Sequence, residues 1–551
     1  MPSSLLQIND LIVTFPLEAG TLEAVKGISF SLQKGETLGI VGESGSGKSV
    51  TALSIMGLLP GRGKLANGEI IFQPKEGGPL DLAKLTQKEF RPLRGKEIGM
   101  IFQEPMTSLN PVFRCGEQVA EAIRLHQNAS PEAAKKQVLS LFEKVKLPDP
   151  ERMYRSYPHQ LSGGQRQRVV IAMALSCNPS LLIADEPTSA LDVTVQRSIL
   201  DLVNDLKNDW DGSTIFITHD LGVVAEVADR VLVMEKGQIV EQGRVGDILK
   251  NPQHPYTQKL LENFKQRTSK KRAPKLGSDL AHLSNLESRL PVLSVKNLFT
   301  WFPSRRSFFG KTIEYVKAVD GVSLDVFKGE TLGLVGESGS GKTTLGRSIL
   351  HLLPPTSGDV SFKKQNLSQV ADKRWKGLRK NMQIIFQDPY SSLDPRQTIG
   401  AAIVEPMQVH GILTTEKERR EKALELLETV GLDASHFWRF PNEFSGGQRQ
   451  RICIARALAL EPEFIICDEC VSSLDVTVQA QVLDLLKNLQ EKHSLTYIFI
   501  SHDLAVVRLM SDRIAVMKDG KIVEMGEAEE VYTQPKSDYT KSLLSAVLGI
   551  H

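Results

Sequence analysis

This 551-residue chain has no long apolar segment and no large surplus of charge, and its sequence predicts no export signal. No uncharged apolar run approaches the roughly 18 residues needed to span a bilayer, and Met1-Pro2-Ser3-Ser4 does not begin a signal peptide. The 67 basic and 65 acidic side chains leave a net charge of +2, which gives no electrostatic reason to expect a nucleic acid partner. Any membrane role is therefore expected to depend on partner subunits.

Cysteine is also scarce, and its pattern argues against disulfides. The five cysteines are odd in number and scattered, which favours a reducing compartment. Cys467 and Cys470 form a C-x-x-C pair around two acidic residues, but no second pair completes a metal site. Simple packing is the favoured interpretation, with metal or redox chemistry as the alternative.

What the chain does contain is a glycine-rich segment with the pattern G-x-x-x-x-G-K-[ST]. It follows the apolar run 37–41, predicted as a buried strand, and precedes 52–59, predicted as a helix. Its glycines let backbone N–H groups surround phosphates at a helix N-terminus, while Lys48 reaches the β- and γ-phosphates and Ser49 binds Mg²⁺. The alternative is a turn without a ligand. The segment is Gly42, Glu43, Ser44, Gly45, Ser46, Gly47, Lys48 and Ser49.

The same pattern occurs a second time, because the chain is a tandem repeat. Lys48 and Lys342 are 294 positions apart, whereas Asp185 and Asp468 are 283 apart. About ten additional residues are therefore expected in the first copy, in a surface loop within 61–97. The second segment is Gly336, Glu337, Ser338, Gly339, Ser340, Gly341, Lys342 and Thr343, after the predicted strand 331–335.

A polar, basic stretch at 265–290 separates the copies. We interpret it as a solvated linker, with nucleic acid or anionic lipid binding as the alternative. The predicted domains are residues 1–264 and 291–551, since the chain is too long for one core. Each copy has an α/β pattern, with a mostly helical insertion between Gln103 and Ser162 in the first.

Two acidic residues end a predicted buried strand in each copy, Asp185-Glu186 and Asp468-Glu469. The carboxyl ends of parallel strands are where α/β folds bind ligands. We expect each aspartate to hold hydrated Mg²⁺ and each glutamate to polarise the attacking water. Capping of the next helix by the acids is the alternative.

A third element lies between the phosphate loop and the acids in each copy. It exposes backbone N–H groups at the start of an apolar helix, which suits anion binding. The two motifs are Ser162, Gly163, Gly164 and Gln165, and Ser445, Gly446, Gly447 and Gln448. In this order, and twice over, the motifs resemble those of the ABC transporter ATPase family.

The resemblance implies roles for further residues. Gln103 and Gln387 match the glutamine that senses Mg²⁺ and the γ-phosphate and faces the membrane subunits. His219 and His502 match the switch histidine, although such a histidine read alone is more often a satisfied buried residue. Segments 189–192 and 472–475 match the loop that links the two sites.

An aromatic residue against the adenine is also implied, at Phe15 and Phe302. Core packing is a rival interpretation there, because the match is only to ring and position.

The family also implies an architecture. The expected fold is α/β, with two tandem P-loop ATPase domains, each a RecA-like doubly wound core with an antiparallel β subdomain and an inserted helical subdomain. ATP and Mg²⁺ are the implied cofactors. The ATPase pair would form within one chain, with Lys48 working with Ser445 and Gly447, and Lys342 with Ser162 and Gly164.

Two segments indicate the peptide and nickel importer branch. They are 102–111 with its repeat 386–395, and the tail 251–261, echoed at 538–544. A fused pair is most similar to Yej-type microcin C and oligopeptide importer ATPases, with fused glutathione importer ATPases close behind. This implies two polytopic permease subunits, a substrate-binding protein and a peripheral place on the cytoplasmic face of a bacterial inner membrane.

Two soluble alternatives fit less well. A tandem ATPase that acts on ribosomes is expected to have a longer, highly charged linker and no such tail. A DNA-repair ATPase of similar layout would need zinc-binding cysteine clusters.

The second copy departs from the pattern after its acids. Cys470 and Val471 stand where the first copy has Pro187 and Thr188. We still expect the second site to hydrolyse ATP, because its lysine, threonine, acids and histidine remain.

Overall fold

The computed structural model divides into two compact units. It describes residues 4–17, 20–103, 108–188, 191–269, 290–306, 312–370, 372–472 and 474–546. The first unit comprises residues up to Phe264, apart from Asp192–Thr194, and the second follows it in the chain. Helix 255–269 continues into the predicted linker, and residues 270–289 of that linker lie outside the described residues.

Ten strands are described in each unit. Those of the first are β1 (Ser4–Leu17), β2 (Gly20–Gln33), β3 (Thr37–Val41), β4 (Lys64–Phe72), β5 (Leu80–Asp81), β6 (Ile98–Ile101), β7 (Leu181–Asp185), β8 (Ser213–Thr218), β9 (Arg230–Glu235) and β10 (Gln238–Arg244). Those of the second are β11 (Leu293–Arg306), β12 (Thr312–Val326), β13 (Thr331–Val335), β14 (Ser357–Phe362), β15 (Gln365–Asn366), β16 (Met382–Ile385), β17 (Phe464–Asp468), β18 (Thr496–Ser501), β19 (Arg513–Lys518) and β20 (Lys521–Glu527).

The helices follow the same repeat. In the first unit they are α1 (Lys48–Ile55), α2 (Gln87–Phe90), α3 (Cys115–Gln127), α4 (Pro131–Lys144), α5 (Pro150–Arg155), α6 (Gly163–Leu175), α7 (Val193–Asp209), α8 (Leu221–Val227), α9 (Val245–Lys250) and α10 (Pro255–Ser269). In the second they are α11 (Lys342–Ile349), α12 (Asp372–Asn381), α13 (Pro389–Ser392), α14 (Ile399–His410), α15 (Glu416–Thr429), α16 (Gly446–Leu458), α17 (Val476–His493), α18 (Leu504–Met510), α19 (Ala528–Thr533) and α20 (Asp538–Ser545).

A six-stranded, mostly parallel sheet forms the centre of each unit. Its order is β10-β9-β3-β8-β7-β6 in the first unit and β16-β17-β18-β13-β19-β20 in the second. Every residue of β3, β7 and β8 is buried, as the continuous apolar sequence of strands covered on both faces requires. Because these three strands are parallel neighbours, their carboxyl ends meet at one edge of the sheet.

A four-stranded antiparallel sheet accompanies each core, in the order β2-β1-β4-β5 and β12-β11-β14-β15. The helices α3–α5 form the insertion predicted between Gln103 and Ser162, packed around Val119, Val138 and Phe142. The predicted α/β architecture with two tandem domains is therefore confirmed. Within the described part of the chain, no helix combines the length and apolarity needed to cross a membrane.

The turn between the last two strands of the antiparallel sheet accounts for much of the extra length of the first copy. It covers residues 73–79 between β4 and β5, against only 363–364 between β14 and β15. Residues 75–79 of this turn are exposed. The structure thus confirms an insertion in a surface loop within 61–97.

Tight packing of α3 against α5 gives a test of the helical insertion. A Cβ added at Gly116 would lie 2.1 Å from Cδ2 of Tyr154, whose ring is buried. We expect Gly116→Ala to lower the free energy of unfolding of this unit by about 1–3 kcal/mol through overpacking. Urea denaturation followed by circular dichroism measures the change.

Gly246→Ala is the matched control, because a Cβ there meets nothing within 4 Å. Equal stability of the Gly116→Ala variant and the control would contradict the described packing.

Candidate nucleotide-binding and hydrolysis sites

The first phosphate loop connects β3 to α1 and ends in a left-handed turn. Gly47 has φ +100° and precedes the helix, and a Cβ there would lie 2.7 Å from the Ala24 carbonyl oxygen. Only glycine accepts both constraints. Because α1 begins at Lys48, its first-turn N–H groups face the loop, as phosphate binding requires.

The lysine of each loop is buried and bonded to the loop itself. Lys48 Nζ donates to the carbonyls of Gly42 and Glu43 at 2.7 and 2.8 Å. Lys342 Nζ makes the same two bonds at 2.7 and 2.9 Å. Burial lowers the pKa of Lys342, and the negative charge of Glu469 opposes that effect. Loop carbonyls thus stabilise an ammonium group that phosphate oxygens can also bind.

A hydroxyl and a carboxylate meet beside each lysine. Ser49 Oγ donates to Asp185 Oδ1 at 3.0 Å, and Thr343 Oγ1 donates to Asp468 Oδ1 at 2.9 Å. Burial raises the pKa of Asp185 to about 6 and also raises the pKa of Asp468. Hydroxyl and carboxylate oxygens are the donors that Mg²⁺ prefers, and a cation there would offset the buried negative charge. These residues therefore fit the predicted metal.

The glutamate after each aspartate occupies a sharp turn. Glu186 and Glu469 have φ +46° and +47°, a strained conformation for a residue with a side chain. The turns are held because the backbone N–H of each glutamate donates to the neighbouring strand, to Ile217 O at 2.9 Å and Ile500 O at 3.0 Å. This strain directs both carboxylates to the edge of the sheet where the phosphate loops lie.

The predicted glutamine and histidine meet this carboxylate in the first unit. Gln103 Nε2 donates to Glu186 Oε2 at 3.1 Å, and His219 Nδ1 lies 3.3 Å from the same oxygen. Burial by itself would raise the pKa of Glu186, but the hydrogen bond and charge of His219 hold that pKa below its ordinary value. Burial by itself would lower the pKa of His219, but the hydrogen bond and charge of Glu186 raise that pKa above its ordinary value. The glutamate is thus kept ionised, as a water-polarising base must be.

The second unit repeats this arrangement. Gln387 Nε2 lies 2.9 Å from Glu469 Oε2, and His502 Nδ1 lies 3.5 Å from it. Burial would raise the pKa of Glu469, but His502 and Lys342 lower it to a net decrease. Cys470 is buried in place of proline, yet the turn at Glu469 matches that at Glu186. The replacement of proline by Cys470 therefore leaves the local geometry of this site intact.

The serine-glycine motifs also have a structural role. Ser162 Oγ accepts from Gln165 N at 3.3 Å, while Gln165 Oε1 accepts from Ser162 N at 3.1 Å, so the pair caps α6. Ser445 and Gln448 cap α16 in the same way. A Cβ at Gly164 would lie 2.6 Å from Val195 Cγ1, so glycine there also permits close helix packing.

The two predicted aromatic residues differ in exposure, and parts of some predicted motifs lie outside the described residues. Phe15 is partly buried, and a Cβ added at Gly63 would lie 2.5 Å from its ring, whereas Phe302 is 39% exposed. Residues 104–107, 189–190 and 473, which belong to three of the predicted motifs, lie outside the described residues.

One pair of contacts at the phosphate loops is not predicted by the sequence motifs. The Tyr256 and Tyr539 hydroxyls accept hydrogen bonds from the Glu43 and Glu337 backbone N–H groups in the phosphate loops. Both tyrosines lie in the repeated tail segments 251–261 and 538–544, but the repeat of these segments indicated only a branch of the family. A pattern of residues does not reveal that two segments some 200 positions apart touch.

The bases in both sites can be tested together. We expect the double variant Glu186→Gln/Glu469→Gln to bind ATP but to hydrolyse it about 10²–10⁴-fold more slowly, because an amide cannot accept the proton of the attacking water. Phosphate release and binding of a fluorescent ATP analogue measure the two effects.

Glu117→Gln serves as the control, since that carboxylate accepts only from Tyr154 Oη in the helical insertion among the bonds described. Full activity in the double variant would remove both glutamates from the proposed role.

Comparisons with known proteins match both halves of the chain. The ABC transporter family model matches residues 25–189 and 319–472. A model for the C-terminal region of oligopeptide/dipeptide transporters matches 240–288 and 523–551. Each half thus carries the ATP-binding family pattern in its central part and the transporter-type pattern in its tail.

Curated relatives resemble nearly the whole chain. The glutathione import ATP-binding protein GsiA of Escherichia coli (strain K12) is 50% identical over 99% of this chain and 89% of its own length. GsiA of Pectobacterium atrosepticum is 48% identical over 98% and 89%. These relatives carry a glutathione import name and not a microcin C name.

Solved structures resemble a single half. MJ0796, a bacterial ABC transporter cassette, is 30% identical over 43% of this chain and 98% of its own, with a TM-score of 0.39. CbiO1 from Clostridium perfringens is 26% identical over 44% and 91%, also with a TM-score of 0.39. The family model and the curated relatives together show that this chain belongs to the ABC transporter ATP-binding proteins of the oligopeptide/dipeptide type, as a fused pair of ABC-type ATPase domains.

Proposed function

We propose that this chain supplies the energy for import of a short peptide or peptide-like compound through a membrane permease. The observation that carries the proposal is the presence of the full set of hydrolytic side chains in both halves. A transporter-type tail packs against the same domain in each half. Two polytopic permease subunits, a substrate-binding protein and a place on the cytoplasmic face of a bacterial inner membrane complete the proposal.

The chemistry follows from the side chains around each loop. Lys48 would exchange its bonds to loop carbonyls for bonds to the β- and γ-phosphates of ATP. Ser49 and Asp185 would hold Mg²⁺, which neutralises phosphate charge when bound. Glu186 would polarise a water molecule for attack on the γ-phosphate, while His219 keeps that carboxylate ionised and oriented.

Gln103 connects this chemistry to the rest of the transporter. Its side-chain amide donates a hydrogen bond to Glu186, and it begins the loop that the family resemblance places opposite the permease. Loss of the γ-phosphate would change the partners available to Gln103 and so bias the position of that loop. Gln387 would do the same in the second unit through Glu469.

Glutathione is the substrate that the comparisons favour, because relatives named for its import are 50% identical over 99% of this chain. Microcin C and oligopeptides remain the candidates that the sequence motifs indicated. These ATPase domains do not contact the transported compound in either scheme, so the permease and the binding protein set the choice.

An uptake assay tests the proposed function. We expect this chain, co-expressed with the two proposed permeases and the proposed binding protein, to support ATP-dependent accumulation of labelled glutathione. Glu186→Gln/Glu469→Gln is the control that keeps binding but removes hydrolysis. Accumulation of a microcin C-type peptide and not of glutathione would change the proposed substrate. Co-purification with ribosomes without permeases would overturn the transport role.

We also propose that each serine-glycine turn binds the phosphates of the ATP held by the other half. Support comes from the family resemblance and from the start of α6 and α16 at these turns, whose first-turn N–H groups suit an anion.

Ser445→Arg should therefore abolish nucleotide trapping at the Lys48 site and spare the Lys342 site. Trapping of a photoreactive ATP analogue, followed by peptide mapping, identifies the site. Loss at the Lys342 site alone would reverse the assignment.

A further inference from the structure

A tyrosine near the end of each unit touches the phosphate loop of the same unit. Tyr256, in the first turn of α10, accepts from the backbone N–H of Glu43 at 2.9 Å. Tyr539, in the first turn of α20, accepts from the backbone N–H of Glu337 at 3.0 Å. The residues before them differ, His254-Pro255 in one tail and Ser537-Asp538 in the other. Both tails thus share the hydroxyl contact although the residues before the tyrosine differ.

A carboxylate fixes the start of each tail helix. Glu241 of β10 accepts from the backbone N–H groups of Gln253 and His254 at 2.8 and 3.1 Å. Glu524 of β20 accepts from Lys536 and Ser537 at 2.8 and 3.0 Å. Because each tyrosine follows within three residues, these bonds determine where its ring enters the core.

The surroundings of each ring restrict its movement. Tyr256 is only 8% exposed and belongs to an apolar cluster with Val41, Leu221 and Leu260. Lys518 Nζ lies 4.8 Å from the centre of the Tyr539 ring, within range of a cation–π attraction. A ring held in this way presents its hydroxyl at a fixed position.

The tyrosine bond acts on one peptide unit of the loop. The carbonyl of Gly42 and the N–H of Glu43 belong to the same planar group. Lys48 Nζ bonds that carbonyl at 2.7 Å, and Tyr256 Oη accepts from that N–H. A Cβ on Gly42 would lie 2.2 Å from the Met234 carbonyl oxygen, so β9 limits the group on a third side.

Nucleotide binding should shift the balance among these contacts. Phosphate oxygens compete for the lysine ammonium, and each bond that it then gives up releases a loop carbonyl. The tyrosine bond does not involve the ammonium and can persist. It would then be the bond that keeps the peptide unit in the orientation suited to phosphates.

We infer that Tyr256 and Tyr539 are positioning residues for nucleotide binding, each fixing the first peptide unit of the phosphate loop in its own half. The oligopeptide/dipeptide-type tail thereby contributes to ATP affinity. Neither tyrosine takes part in the chemical step.

Removal of the hydroxyl alone tests this role. Tyr256→Phe in a Lys342→Ala chain, and Tyr539→Phe in a Lys48→Ala chain, each report on one loop. We expect the Kd for Mg-ATP to rise about three- to tenfold, as for loss of one hydrogen bond. In the chain with both lysines, Tyr256→Phe/Tyr539→Phe should raise KM with kcat changed less than twofold. Amide hydrogen exchange at residues 42–44 and 336–338 should accelerate in the absence of nucleotide.

Matched tyrosines separate positioning from general stability. Tyr154→Phe removes a hydroxyl that donates to Glu117 in the first unit, and Tyr497→Phe removes one that donates to Leu486 O in the second. Neither control should change the Kd or the exchange of the loops. Unchanged Kd in both test variants, or an equal rise in the controls, would overturn the inference.

Discussion

A lysine ammonium buried among the carbonyls of its own loop is the interaction on which each half depends. A buried charge is tolerated only where polar partners replace water, and Lys48 and Lys342 each have two loop carbonyls within 2.9 Å. Those partners can be exchanged for phosphate oxygens without exposing the charge. The loop therefore keeps a cation in place before its ligand arrives, at the carboxyl end of a fully buried strand.

The rest of each site follows from the order of the central strands. Because β3, β7 and β8 are parallel neighbours, the loop lysine, the two acids and the histidine meet although they are far apart in sequence. The strained turn at Glu186 then brings its carboxylate within 3.3 Å of both Gln103 and His219. The same order in the second half gives the same cluster, which explains why Cys470 in place of proline does not disturb it.

Most of the fold and of each site could be predicted from local patterns in the sequence. The apolar runs 37–41 and 331–335 predicted β3 and β13 to the residue. The strand ends predicted that the acids lie at the sheet edge, and the family resemblance implied that the histidines join them. The helix predicted at 52–59 instead begins at Lys48 and ends at Ile55, because the phosphate loop itself opens the helix. The tyrosine contacts could not be predicted, since they join a tail helix to a loop through a single hydroxyl.

If each half is organised by its own buried lysine, one chain binds two nucleotides. Equilibrium dialysis of the full chain against Mg-ATP, with hydrolysis prevented, measures this number. We expect two nucleotides per chain, and one in either single variant Lys48→Ala or Lys342→Ala. A single nucleotide bound by the unaltered chain, or an unchanged count after loss of one lysine, would contradict it.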